Sequence, residues 1–90
     1  MKAEWYKADG TILEVVPANS HDFVLDELQG FVGGYIEIIQ LNESQIMVLN
    51  EEGKLKRLPM NENATLLALH AGFYDTIVGD VLVCDTEMVQ

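Results

Sequence analysis

Thr76-Ile77-Val78-Gly79-Asp80-Val81-Leu82-Val83-Cys84 is the stretch that decides the fold. Alternate residues of a strand face opposite sides of a sheet, and here both sets are apolar. Ile77, Val81 and Val83 fall on one side, Val78, Leu82 and Cys84 on the other. A strand with one wet face would alternate apolar with polar, so this one is predicted to be covered on both faces and to lie in the middle of its sheet. Gly79-Asp80 inside it predicts a bulge or a close backbone approach.

Upstream, Asn61 is placed to cap a helix over Glu62 to Ala71, whose Ala, Leu and Glu content favours that conformation and which Gly72 ends. Before Pro59, three strand-like runs (Tyr35 to Leu41, Gln45 to Asn50, Leu55 to Leu58) are joined by the polar turns Asn42-Glu43-Ser44 and Glu51-Glu52-Gly53, and predict an antiparallel meander. Gly33-Gly34 stops a preceding helix whose apolar stripe is Val24, Leu25, Leu28, Phe31 and Val32 and whose cap is drawn from Ala18-Asn19-Ser20. At the start, Trp5 to Ala8 and Thr11 to Val16 flank Asp9-Gly10 as a hairpin, closed by Pro17. The expected fold is α+β: a small, mostly antiparallel sheet of about six strands with two helices, in the order ββαβββαβ, forming a single domain over residues 1–90.

Composition narrows the function. Fifteen acidic residues against five basic ones give a formal charge of −10, which repels phosphate backbones and anionic lipid, so direct nucleic-acid binding is disfavoured. The short basic patch of Lys54, Lys56 and Arg57 has no interleaved aromatic residues on which bases would stack. No apolar run approaches the length of a membrane span. A lone cysteine and an N-terminus without an apolar signal region point to a cytoplasmic protein with no internal disulfide.

No metal, cofactor or catalytic residue is expected. His21 and His70 have no partner at a metal-ligand spacing, and Cys84, in an apolar strand, reads as a buried thiol of raised pKa. Gly33-Gly34 ends a helix, whereas phosphate-binding glycines open one. Among the carboxylates Glu37 stands out, because apolar residues flank it and alternation sets it on the face of Tyr35 and Ile39. Asn50-Glu51-Glu52-Gly53-Lys54 is first of all a hairpin turn.

Four strings occur in order: Val32-Gly33-Gly34-Tyr35-Ile36-Glu37, Asn50-Glu51-Glu52-Gly53-Lys54, Leu58-Pro59-Met60-Asn61 with Ala64-Thr65, and Asp75-Thr76-Ile77-Val78-Gly79-Asp80. Together they resemble a family of small uncharacterised proteins of phages, plasmids and bacteria, a domain of unknown function. The resemblance implies an accessory role in phage, plasmid or host biology and supplies no catalytic residue. Candidate binding residues are Gly33, Gly34, Tyr35, Glu37, Asn50, Glu52, Lys54 and Asn61.

Three functions follow as expectations. The first is a non-enzymatic interaction module that meets an unidentified protein partner, or a second copy of itself, through a sheet edge or the Tyr35/Glu37 surface. The second is an acidic mimic of nucleic acid that occupies a restriction-type enzyme. The third is a small-molecule or nucleotide-binding domain, which requires Tyr35, Glu37, Asn50, Lys54 and Asn61 to line one concave site.

Overall fold

The apolar run at Val81 to Cys84 lies in the middle of the sheet, as its two-faced pattern requires. The structure, a computed structural model, describes residues 3–89. Among these residues five strands form: β1 (Ala3–Tyr6), β2 (Ile12–Val15), β3 (Ile36–Gln40), β4 (Gln45–Asn50) and β5 (Val81–Asp85). Helices α1 (Leu25–Val32) and α2 (Glu62–His70) follow β2 and β4 respectively, and a 3-10 turn at Thr86–Met88 closes the chain. The sheet order is β2-β1-β5-β4-β3, with every neighbouring pair antiparallel.

Alternation along β4 and β5 sorts the interior into two cores. Ile46, Val48, Leu82 and Cys84 join Leu28 and Val32 of α1, together with Ala3, Phe23 and Met88. Met47, Leu49, Val81 and Val83 face the other way, onto Ala64 and Ala68 of α2, with Ile39, Leu41 and Ile77. The sheet is thus sandwiched between the two helices. Each fully buried Leu, Val or Ile contributes about 1.5–3 kcal/mol, and β4 and β5, which both supply residues to the two cores, are the elements whose loss would cost most.

Three expectations are corrected. The sheet has five strands among the described residues, not about six, because Leu55 to Leu58 forms no strand. β4 already has β3 on one side and β5 on the other, so a third meander strand has no edge to join. The segment coils into successive turns instead, with Lys56 N–H donating to Glu52 C=O (2.9 Å), Arg57 N–H to Lys54 C=O (3.1 Å) and Leu58 N–H to Gly53 C=O (3.0 Å). Consequently the element order is ββαββαβ.

The second correction concerns the start of α1. Asn19 Oδ1 accepts the N–H groups of His21 (2.8 Å) and Asp22 (2.9 Å), so this cap closes a turn ahead of the helix. The helix itself begins after Val24, whose N–H is accepted by Glu27 at 3.1 Å. Its predicted stripe is buried at Leu28 and Val32, whereas Leu25 is exposed and the core is entered by Phe23 just upstream. The third is that the last strand starts at Val81, not Thr76. Residues before it bend away, Val78 forming an isolated bridge with Met60. Gly79 has a left-handed φ of 77°, and a side chain there would meet Leu58 Cδ1 at 2.7 Å, which is the close backbone approach its position predicted.

The first hairpin forms, but its strands are Ala3–Tyr6 and Ile12–Val15 and its loop extends beyond Asp9-Gly10: Tyr6 pairs with Ile12, and the loop is closed by Lys7 N–H to Thr11 C=O (2.8 Å) and Gly10 N–H to Lys7 C=O (3.0 Å). Among the described residues no helix is long and apolar enough to cross a membrane.

Candidate functional site

At the end of α1, Gly33 takes a left-handed φ of 81° and both Gly33 and Gly34 N–H groups bond to Gln29 C=O (2.8 and 3.2 Å). This turn delivers the chain into β3 at the sheet edge. A methyl group at Gly34 would sit 3.0 Å from Asn50 Nδ2 and 3.3 Å from Lys56 Nζ, so the second glycine lets the entry to β3 pass against the end of β4. Asn50, itself 4% exposed, donates from Nδ2 to Val32 C=O (3.1 Å) and accepts Glu52 N–H at Oδ1 (2.8 Å). One buried side chain therefore ties the α1 terminus to the turn after β4.

That turn projects Glu51, Glu52 and Lys54 beside the edge strand. Lys54 Nζ forms an ion pair with Asp75 Oδ1, and Lys56 lies 3.6 Å from Glu52. The Lys54 ammonium, followed by the Thr76 N–H, holds the Asp75 carboxyl below the usual carboxylate range. Both partners of the Lys54–Asp75 pair are more than half exposed, so the pair positions the loop more than it stabilises the fold.

The eight predicted residues divide among several places. Glu37, Asn50 and Lys54 line one cleft of about 140 Å³, together with Glu51, Asp75 and Thr76 and an apolar floor of Leu49, Phe73, Ile77 and Val78. Gly34, Tyr35 and Glu52 border a separate shallow depression, with Gln29 and Lys56. Gly33 serves the helix end. Asn61 lines neither: its Nδ2 donates to Tyr6 C=O and Gly79 C=O (both 2.9 Å), and its Oδ1 accepts Ala64 N–H (3.1 Å) as the cap of α2.

Glu51, Phe73, Asp75 and Thr76 enter the cleft unforeseen. A signal for Asp75 existed in the string Asp75 to Asp80, but its pairing with Lys54 spans two loops and has no local signature. Among the described residues, no group of three or more His, Cys, Asp or Glu side chains is arranged to hold a metal ion.

Chemically, the cleft combines three carboxylates, one ammonium already held by Asp75, and an apolar base. Pockets for small molecules usually measure roughly 300–1,000 Å³, so a volume of about 140 Å³ suits a single side chain better than a nucleotide. The strings that line it come from the β3 entry, the turn after β4 and the approach to β5. The remaining one, Leu58 to Asn61, braces that approach, Pro59 C=O accepting Gly79 N–H at 2.7 Å.

The model of a family described as a domain of unknown function (DUF3846) matches residues 7–88. No curated protein and no solved structure matches the chain.

Proposed function

Since the chain belongs to the DUF3846 family of unknown function, and membership brings no activity with it, we propose that it is a non-enzymatic interaction module that binds another protein through the β3 edge and the Tyr35/Glu37 surface. The observation that carries this reading is convergence. Strings far apart in sequence bring Glu37, Glu51, Lys54 and Asp75 to one cleft beside the edge strand β3, while Tyr35 and Glu52 border the separate depression at the entry to that strand, so side chains and edge backbone groups are presented along the same strand. Tyr35 is 65% exposed there, an aromatic side chain of the kind enriched in binding surfaces. The resemblance of the four strings to proteins of phages, plasmids and bacteria supports an accessory role in such a setting, in the cytoplasm of the host.

A pull-down from bacterial lysate with tagged protein, read by mass spectrometry, tests the proposal. A specific partner should be enriched by the unaltered chain and lost with Tyr35→Ala and Glu37→Ala, both of which change exposed side chains and leave the cores intact. Enrichment of no protein above background, or of a partner indifferent to both substitutions, would overturn it.

A further inference from the structure

We propose that the partner adds an extended segment to β3 as a further strand, with a Lys or Arg of that segment seated in the cleft beside Glu37. This rests on the interaction reading above and adds the chemistry of what is bound.

The backbone geometry comes first. Glu51 N–H donates to Tyr35 C=O and Leu41 N–H to Gln45 C=O (both 2.9 Å), which identifies 35/51 and 41/45 as hydrogen-bonded pairs of the β3–β4 ladder. By alternation, Glu37/Leu49 and Ile39/Met47 are of the same kind. The N–H and C=O groups of Ile36, Ile38 and Gln40 therefore point away from β4, at an edge where the described sheet has no further strand. An added antiparallel strand would bond to these three residues. Its residue facing Glu37 would then occupy a non-hydrogen-bonded position, where facing Cα atoms approach to about 4.5 Å and side chains share one face.

Charge then selects the side chain. Glu37 stands on the face of Leu49, at the rim of the cleft, with Glu51 and Asp75 as the other carboxylates and Lys54 the one cation. Lys54 is bound to Asp75, so the rim keeps an excess of two negative charges. The apolar floor of Leu49, Phe73 and Ile77 would cover the aliphatic stem of a Lys or Arg while its head stays at the carboxylates. On the other face Ile38 is 46% exposed and Ile36 half-buried, which asks for apolar residues on either side of the basic one.

The segment recognised thus reads apolar–basic–apolar. A second copy of this chain fits less well: the registers that keep Ile36, Ile38 and Gln40 bonded set Glu37 against its own copy or against Ile39, and bring two acidic rims together.

The test uses acetylated, amidated heptapeptides with β-branched residues flanking a central position that is varied through Lys, Arg, Gln, norleucine and Glu. Their binding to the full chain would be followed by fluorescence polarisation and by amide hydrogen exchange. The Lys and Arg peptides should bind at least about tenfold more tightly than norleucine and should protect the amides of Ile36, Ile38 and Gln40. Glu37→Gln should reduce that preference. Ile38→Pro should abolish binding, since it removes an outward N–H without touching the ladder to β4; should that variant not fold, the exchange pattern of the unaltered chain decides.

Equal binding of Lys and norleucine peptides, no binding up to about 1 mM, or protection of the same amides that grows with protein concentration alone would each overturn the inference. If the peptides fail while the lysate partner is still lost with Tyr35→Ala, the interaction module stands and the added strand falls.

Discussion

Cys84 lies in β5 with no exposed surface, and burial, with a smaller contribution from the neighbouring Asp85 carboxylate, pushes its thiol up from about 9 to about 11. The raised value means that the folded chain keeps this proton after the unfolded chain has lost it. Stability is therefore unaffected below about pH 8 and falls as pH rises from 9 to 11, by about 2 kcal/mol at the upper end. Tyr6, whose burial raises its phenol in the same direction, adds to the slope. Urea denaturation at pH 8, 9.5 and 11 should show the loss, and Cys84→Ala should flatten the part that belongs to the thiol. An equal pH slope in both proteins would show that the thiol is not the source. The buried thiol was legible from one apolar strand, whereas the ion pair of Lys54 with Asp75 was not, because its two loops meet only through tertiary packing.

Between elements, Asn61 joins α2 to the sheet. Its two bonds to Tyr6 and Gly79 use both Nδ2 protons, and its cap of Ala64 uses an Oδ1 lone pair, in a side chain that is 1% exposed. The cap was readable in sequence from Asn followed by a helix-forming run; the bonds to the end of β1 and to the segment leading into β5 were not, since they depend on where α2 docks. Asn61→Ala should destabilise the fold by about 3 kcal/mol, about 1 from the lost cap and the rest from stranded carbonyl groups. Asn61→Asp, which keeps an acceptor for Ala64 but turns a carboxylate oxygen toward two carbonyls, should cost at least as much. Chemical denaturation measures both, and a cost near that of the cap alone would mean that water replaces the lost donor. The failed strand at Leu55 to Leu58 belongs to this scale too: its residues suit a strand, yet both edges of β4 are occupied.

Across the whole molecule the charge of −10 acts as a diffuse repulsion, since the carboxylates are distributed along the chain and few cations offset them. Raising salt from about 0.01 M to 0.15 M shortens the screening length from about 30 Å to about 8 Å and should raise the melting temperature by about 4 °C or more, equivalent to about 1 kcal/mol for a domain of this size. Differential scanning calorimetry in NaCl is the measurement, and a fall in melting temperature would show that favourable pairs outweigh the repulsion.

The sequence by itself determined the α+β class, the first hairpin, both helices, the two-sided cover of β5 and the acidic character, because each is set by local periodicity, turn chemistry or composition. Tertiary structure decided the order β2-β1-β5-β4-β3, the loss of the sixth strand, the burial of Asn50 and Asn61 as cross-links, and the meeting of Glu37, Glu51, Lys54 and Asp75 at one edge. Periodicity tells a residue which face it occupies, but which strand lies beside it depends on which backbone edges remain open once the others have paired.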